Sequence, residues 1–307
     1  MRTEKKYCGV VIPAVTPLTS RLELDHSAVE RMFEFFHNNH VQPFILGTTG
    51  EGASLSFSMK KEFIQLAGKL KKQGTVLYGS VSSNSLDESI ELAKYSFDNG
   101  IDVVVSTLPS YYALTDSAML KYLERLAEDV PGPLMIYNIP STTHMSIPLS
   151  VIDELSHHPN VVGTKDSERS EERLRQSADL WKDRSDFSHL LGWAAKSADG
   201  LLMGSDGLVP STGNFEAKLY WDLYNSALQG DEKRAHELQK LSDQLGNLYQ
   251  QGRTLGESLW ALKVLMKGIG LCETNLMPPL FSQSKEEQVR LISGLKEILN
   301  VVTKEGK

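Results

Sequence analysis

Cysteine is scarce in this chain: the 307 residues include only Cys8 and Cys272, far apart in sequence. Both sit beside apolar residues, so they read as buried thiols rather than a disulfide, which fits a reducing, cytoplasmic setting. No apolar run approaches the roughly 20 residues that a membrane-spanning helix needs. The stretch from Met1 to Lys6 is charged and runs into strand-like sequence, unlike a signal peptide. Positive charge is also short. Against 39 Asp and Glu stand 32 Lys and Arg, a formal net charge of −7, which argues against nucleic acid or an anionic membrane as partner. The overall field does not attract an anionic substrate, so local donors would have to hold one.

Several motifs are missing as well. Neither G-x-G-x-x-G nor G-x-x-x-x-G-K-[ST] occurs, so nothing points to a dinucleotide or nucleotide cradle. A serine elbow and a catalytic-cysteine context are both absent. His157-His158 lies before a proline in a loop, and His37 and His40 sit near a helix end and read as solvent-exposed. With no H-x-x-x-H, no Cys/His cluster and no carboxylate constellation at the strand ends, no metal site is expected.

What the chain does have is alternation. Apolar, β-branched runs at 9–16, 43–47, 76–81, 102–108, 134–138, 161–165, 189–193 and 207–210 read as eight strands. Most segments between them carry helical apolar spacing, with caps at Asp25 or Ser27, at Ser58, and at Ser85 with Glu88 three residues on. Glycine follows several helix ends, at Gly74, Gly100 and Gly230. Eight strands alternating with helices predict an α/β fold, a (β/α)8 TIM barrel over 1–230. Strand-like sequence then stops, and 231–249, 255–268 and 285–302 read as helices, a C-terminal helical subdomain over 231–307.

Barrels of this kind carry their chemistry at the C-terminal strand ends. The residues there are rich in hydroxyls and poor in charge, and Lys165 is the one obvious cation among them. It closes the run Val161-Val162-Gly163-Thr164-Lys165. Burial disfavours an ammonium ion, and a neutral amine attacks carbonyl carbon, as Schiff-base catalysis requires. In Gly47-Thr48-Thr49-Gly50-Glu51 the two glycines permit a sharp turn that exposes successive amides to a carboxylate. Tyr137 ends the preceding strand, and its phenol can both donate and accept a proton. The adjacent aromatics of Pro109-Ser110-Tyr111-Tyr112 cannot both join one core, which points to a subunit interface. Taken singly, the same residues also describe a snorkelling lysine, a capped βα turn and a core tyrosine.

Together they are more specific. Gly47-Thr48-Thr49-Gly50-Glu51, Pro109-Ser110-Tyr111-Tyr112, Tyr137-Asn138-Ile139-Pro140, Gly163-Thr164-Lys165-Asp166 and Gly207-Leu208-Val209-Pro210-Ser211-Thr212 occur in order across nearly the whole chain. In this the sequence resembles the dihydrodipicolinate synthase / N-acetylneuraminate lyase family of class I aldolases. The resemblance implies that Lys165 forms a Schiff base with pyruvate or another 2-oxo acid, with no separate cofactor. It gives Tyr137 a proton-shuttling role and makes Thr48 its relay hydroxyl. Thr49 and Gly50 would clamp the substrate carboxylate, and Val209 and Ser211 would line the pocket floor. Tyr111 would complete the relay from a neighbouring subunit of a homodimer or homotetramer. Keeping Lys165, Tyr137 and both threonines argues against a catalytically silent ligand sensor.

Departures from the family pattern bear on the substrate. Thr142 stands where dihydrodipicolinate synthases carry an arginine that grips a second carboxylate. Phe57 and Lys60 replace histidines of the feedback-lysine site, although Asn84 and Glu88 are kept. Gly192-Trp193-Ala194-Ala195 replaces a Gly-aromatic-Asp-Glu stretch that binds sugar hydroxyls in sialic acid lyases, and a polyol site loses its partners with those carboxylates. The expected substrate is a 2-oxo acid with a short or less hydroxylated tail, with Trp193 as a wall and Thr142, Thr143 and His144 as the remaining polar candidates. The alternatives within the family are a 4-hydroxy-tetrahydrodipicolinate synthase and a 2-keto-3-deoxy sugar acid dehydratase.

Overall fold

The eight apolar runs become eight parallel strands: β1 (Gly9–Pro13), β2 (Gln42–Ile45), β3 (Tyr78–Ser80), β4 (Val103–Ser106), β5 (Leu134–Asn138), β6 (Val161–Asp166), β7 (Ser188–Leu191) and β8 (Gly207–Leu208). They pair in sequence order, and β8 returns to β1 to close a (β/α)8 barrel. The computed structural model describes residues 5–305, with side chains through residue 300. Around the barrel run α1 (His26–Asn38), α2 (Phe57–Leu70), α3 (Leu86–Asp98), α4 (Asp116–Asp129), the short α5 (Pro140–Thr143) and α6 (Leu149–Leu155), α7 (Glu171–Trp181), α8 (Ser197–Met203) and α9 (Ala217–Leu228). Three further helices follow: α10 (Glu232–Gln250), α11 (Leu255–Gly268) and α12 (Lys285–Glu305).

Alternation along each strand divides the apolar residues into two cores. Val11, Phe44, Tyr78, Val105, Met135, Tyr137, Leu190 and Val209 fill the barrel interior. Ile12, Ile45, Val104 and Ile136, from the other strand face, join the helix layer with Phe36, Phe63, Leu123 and Trp181. The base is closed by buried Lys5, whose Nζ donates to Asp206 Oδ2 at 2.8 Å and to the carbonyls of Trp181 and Phe187.

The strands at 9–16 and 207–210 end early, at Pro13 and Leu208. Beyond Pro13 the backbone turns to other partners: Val15 N donates to Asn214 Oδ1, and Thr16 Oγ1 donates to the Gly50 carbonyl at 2.6 Å. Asp25 and Ser85 cap their helices. The cap of α2 is Ser56, which accepts from Met59 N, and Ser58 lies inside the helix. Cys272 is buried, but Cys8 is only half-buried, at the edge of β1, and the two form no disulfide.

α10 lies along α8 and α9, where Tyr220 Oη and Ser242 Oγ are 2.7 Å apart. α11 is buried along most of its length. Among the described residues no helix is long and apolar enough to cross a membrane.

Candidate active site

Lys165 and Tyr137 are register partners on β6 and β5. Both side chains enter the barrel interior, each 4% exposed. Lys165 Nζ lies 3.8 Å from the centre of the Tyr137 ring and 4.9 Å from that of Phe44, and the two rings meet edge-on at 6.5 Å. Burial lowers the Lys165 amine from the ordinary lysine value, and the Tyr137 phenol opposes the shift by favouring the charged form. The amine thus sits on an aromatic floor, and no carboxylate among the described residues is ion-paired to it.

Asp166, the next residue, faces the helix layer. It accepts from Arg173 Nε at 2.6 Å, from Asn138 Nδ2 at 3.1 Å and from Glu168 N at 2.9 Å. Asn138 Nδ2 also reaches Glu168 Oε2, which accepts from Ser146 Oγ, and Asn138 Oδ1 accepts from Ile147 N. These bonds fix the ends of β5 and β6 from behind, and with them the geometry of Tyr137 and Lys165. Asn138, Glu168 and Arg173 were not evident as site-forming residues in the sequence, because nothing local shows that they converge.

Beside this pair, the β2 loop makes a tight excursion. Leu46 (φ 61°) and Glu51 (φ 57°) are both left-handed and bracket Gly47 to Gly50. A Cβ on Gly50 would stand 2.9 Å from the Ala14 carbonyl oxygen and 3.2 Å from Leu46 N, so the turn requires glycine there. Among the described residues, the amides and hydroxyls of half-buried Thr48 and Thr49, and the amide of Gly50, donate to no acceptor. Such a run of unspent donors suits a carboxylate.

The other predicted residues take varied positions. Val209 belongs to the interior cluster. Ser211 Oγ lies 2.7 Å from Tyr249 Oη of α10, so its hydroxyl is engaged with the C-terminal helices. Tyr111 is 79% exposed and packs edge-on against equally prominent Tyr112 at 4.9 Å. Its loop is held by Asn84 Oδ1, which accepts from Ser110 N at 2.8 Å.

At the distal rim, Thr142 and Thr143 donate to the Ile139 carbonyl, and buried Thr143 also reaches the Met145 carbonyl. Their hydroxyls are therefore satisfied by their own turn, which leaves exposed Ser141 and His144 (φ 59°) as polar side chains of that segment with no hydrogen-bond partner among the described residues. Trp193 is half-buried, with Lys196 Nζ 6.0 Å from its ring. Gly192 passes so close to Ser167 that an added Cβ would stand 2.0 Å from Ser167 Oγ. Ser167, just beyond the end of β6, was not singled out in the sequence, where nothing local shows its approach to Gly192. No group of three or more His, Cys, Asp or Glu among the described residues is arranged to hold a metal ion.

A closed barrel with a buried lysine and a donor-rich loop at its C-terminal rim defines an enzyme-like scaffold. Over residues 6–298 the sequence matches the model of the dihydrodipicolinate synthetase family, and the chain belongs to that family of lyases. An uncharacterized DapA-like lyase of Pyrococcus abyssi is 28% identical over 95% of this chain and 99% of its own length. The structure of dihydrodipicolinate synthase from Bacteroides thetaiotaomicron superposes with a TM-score of 0.90 at 30% identity, covering 96% of this chain and 99% of that one. YagE of E. coli K12, in complex with pyruvate, shares the fold with a TM-score of 0.90 at 23% identity, over 95% of this chain and 99% of its own.

Proposed function

We propose that this chain is a pyruvate-dependent class I lyase or aldolase that makes or breaks a C–C bond of a 2-oxo acid through a Schiff base on Lys165. The observation that carries this reading is the Lys165 amine, buried over the Tyr137 ring and lowered in basicity by burial. A neutral amine adds to the C2 ketone, and loss of water gives an iminium. The iminium withdraws electrons from C3, so the C3–C4 bond breaks with its electron pair passing into an enamine, while the C4 hydroxyl gives its proton to Tyr137 and the C4 fragment leaves as an aldehyde. Protonation of the enamine and hydrolysis return pyruvate and free Lys165; synthesis is the reverse.

Tyr137 passes the protons, with Thr48 as relay. The amides and hydroxyls of Thr48, Thr49 and Gly50 hold the substrate carboxylate without a second cation to oppose the iminium. Val209 floors the pocket. Exposed Tyr111 contributes to the relay of a neighbouring subunit, in a homodimer or homotetramer. Two cysteines outside any disulfide fit a cytoplasmic enzyme. At the distal end Ser167, His144 and Trp193 meet the substrate tail, and Ala194 and Ala195 offer a polyol nothing to bond, so a short or less hydroxylated tail is favoured.

A second reading, 4-hydroxy-tetrahydrodipicolinate synthase, is supported by the 30% identical Bacteroides synthase, and Thr142 in place of a carboxylate-gripping arginine weighs against it. Borohydride reduction with pyruvate should leave one pyruvate-derived mass on the peptide holding Lys165. Absence of the adduct, or an adduct elsewhere, removes the proposal. A panel of 2-oxo acids read by pyruvate release, beside aspartate semialdehyde with pyruvate, separates the two readings.

A further inference from the structure

Glu51 is the one residue of Gly47-Thr48-Thr49-Gly50-Glu51 whose side chain is committed to the C-terminal helices. Its Oε1 lies 2.5 Å from Lys263 Nζ of α11, and its Oε2 accepts from Met277 N at 2.7 Å. Lys263 Nζ also donates to the Asn275 carbonyl at 2.6 Å, and Asn275 Nδ2 donates to the Leu18 carbonyl at 3.0 Å. The Lys263 and Glu51 side chains are 1% and 0% exposed. The pair is thus buried, and both of its members have further partners.

Stability alone does not account for it. Desolvation of two charges consumes most of their attraction, and an apolar pair of equal volume usually serves as well or better. What the pair does fix is the position of residue 51. Glu51 and Leu46 are left-handed non-glycine residues, each costing about 1–2 kcal/mol, and such backbone persists where its surroundings hold it. Thr16 holds the Gly50 carbonyl from the β1 side, and Lys263 and Met277 hold Glu51 from the other. The three amides with no acceptor, those of Thr48, Thr49 and Gly50, lie immediately before this anchored residue. α10 treats two other rim loops alike: Tyr249 bonds Ser211 and Thr212, and Gln239 bonds the Ala194 carbonyl and the Ala198 amide.

We infer that the Glu51–Lys263 pair is a positioning device for the Thr48–Gly50 donors, and that Lys263, outside the barrel, is a positioning residue for the 2-oxo acid carboxylate. This rests on the reading of that loop as the carboxylate clamp.

The test uses the full-length protein and two variants, Lys263→Met and Glu51→Gln. Glu51→Gln keeps the shape and an acceptor for the Met277 amide, so it reports even where Lys263→Met fails to fold. Two quantities are read: amide exchange over residues 46–52, and the pyruvate concentration giving half-maximal borohydride trapping on Lys165. Both variants should exchange faster at Glu51 and Gly52, whose amides donate to the Thr48 and Gly47 carbonyls, while strand amides stay protected. Half-saturation should rise by about tenfold or more, with the trapping rate at saturation changed by less than about threefold. Folded variants with unchanged half-saturation, or with lower stability spread evenly over the chain, overturn the device and leave the Lys165 reading intact. A wild-type protein that forms no adduct, with the loop still loosened by both substitutions, overturns the pyruvate reading and leaves the brace standing.

Discussion

Lys165 and Tyr137 meet face to edge of chain: they are direct register partners, and the amine rests 3.8 Å from the centre of the phenol ring. The ring is therefore both a platform for the amine and the carrier of a hydroxyl, and substitution can separate the two. Tyr137→Phe keeps the platform. It should still form the pyruvate adduct on Lys165, while turnover falls by about 10²–10⁴-fold, the usual worth of a positioned proton carrier. Lys165→Arg should give no adduct at all. Peptide mapping after borohydride reduction, beside steady-state kinetics, checks both.

The lowered basicity of Lys165 sets a pH dependence. Adduct formation needs the neutral amine, so its rate should climb with pH and level off below the ordinary lysine value of 10.5. Because Tyr137 favours the charged form, its loss lowers the amine further, and the Tyr137→Phe inflection should move to lower pH. An inflection that stays put or moves upward contradicts the geometry described for the pair.

His189 of β7 is buried, with Nδ1 3.1 Å from Ser205 Oγ and Nε2 without a hydrogen-bond partner. Burial chiefly lowers it to about 4 from 6.5; nearby Asp166 opposes the shift, and Arg173 and Lys5 add to it. Between those values the unfolded chain binds a proton that the folded chain refuses, so falling pH favours unfolding. The contribution is whole above about pH 6.5 and lost by about pH 4, at most about 3 kcal/mol. Denaturant titrations should show a steeper loss of stability across that window for the wild type than for His189→Gln. Parallel curves would rule this out.

Gly192 is constrained by Ser167, whose Oγ would lie 2.0 Å from an added Cβ. Gly192→Ala should cost about 1–3 kcal/mol through forced displacement and raise KM through the shifted rim. Adding Ser167→Gly should return part of the stability, since the Asp166 carbonyl at 3.1 Å remains in the way. A double variant no better than the single one would place the strain elsewhere. Melting temperatures of the four-member cycle decide it.

The strand positions, the barrel and the three C-terminal helices were readable because period-two and helical spacing are local properties of a sequence. Lys165 and Tyr137 were readable for the same reason, as strand-end residues whose spacing fixes their side of the sheet. Other features depend on partners that spacing does not reveal, some of them far along the chain and some in the same turn. Ser211 carries a hydroxyl suited to a pocket floor, yet Tyr249 of α10 takes it. Thr143 carries one suited to a substrate, yet two carbonyls of its own turn take it. The cap of α2 moved from Ser58 to Ser56 because both serines satisfy the pattern, and only backbone geometry chooses between them. Glu51 looked like the tail of a turn motif, and nothing near it in sequence announces Lys263.

That contact joins residues 212 positions apart, which has a consequence for synthesis. Lys165 and Tyr137 leave the ribosome well before α11 does. The anchor of the β2 loop is therefore unmade until nearly the whole chain has been synthesised. Competence for substrate would then arrive late, as one of the last events of translation rather than with the lysine itself.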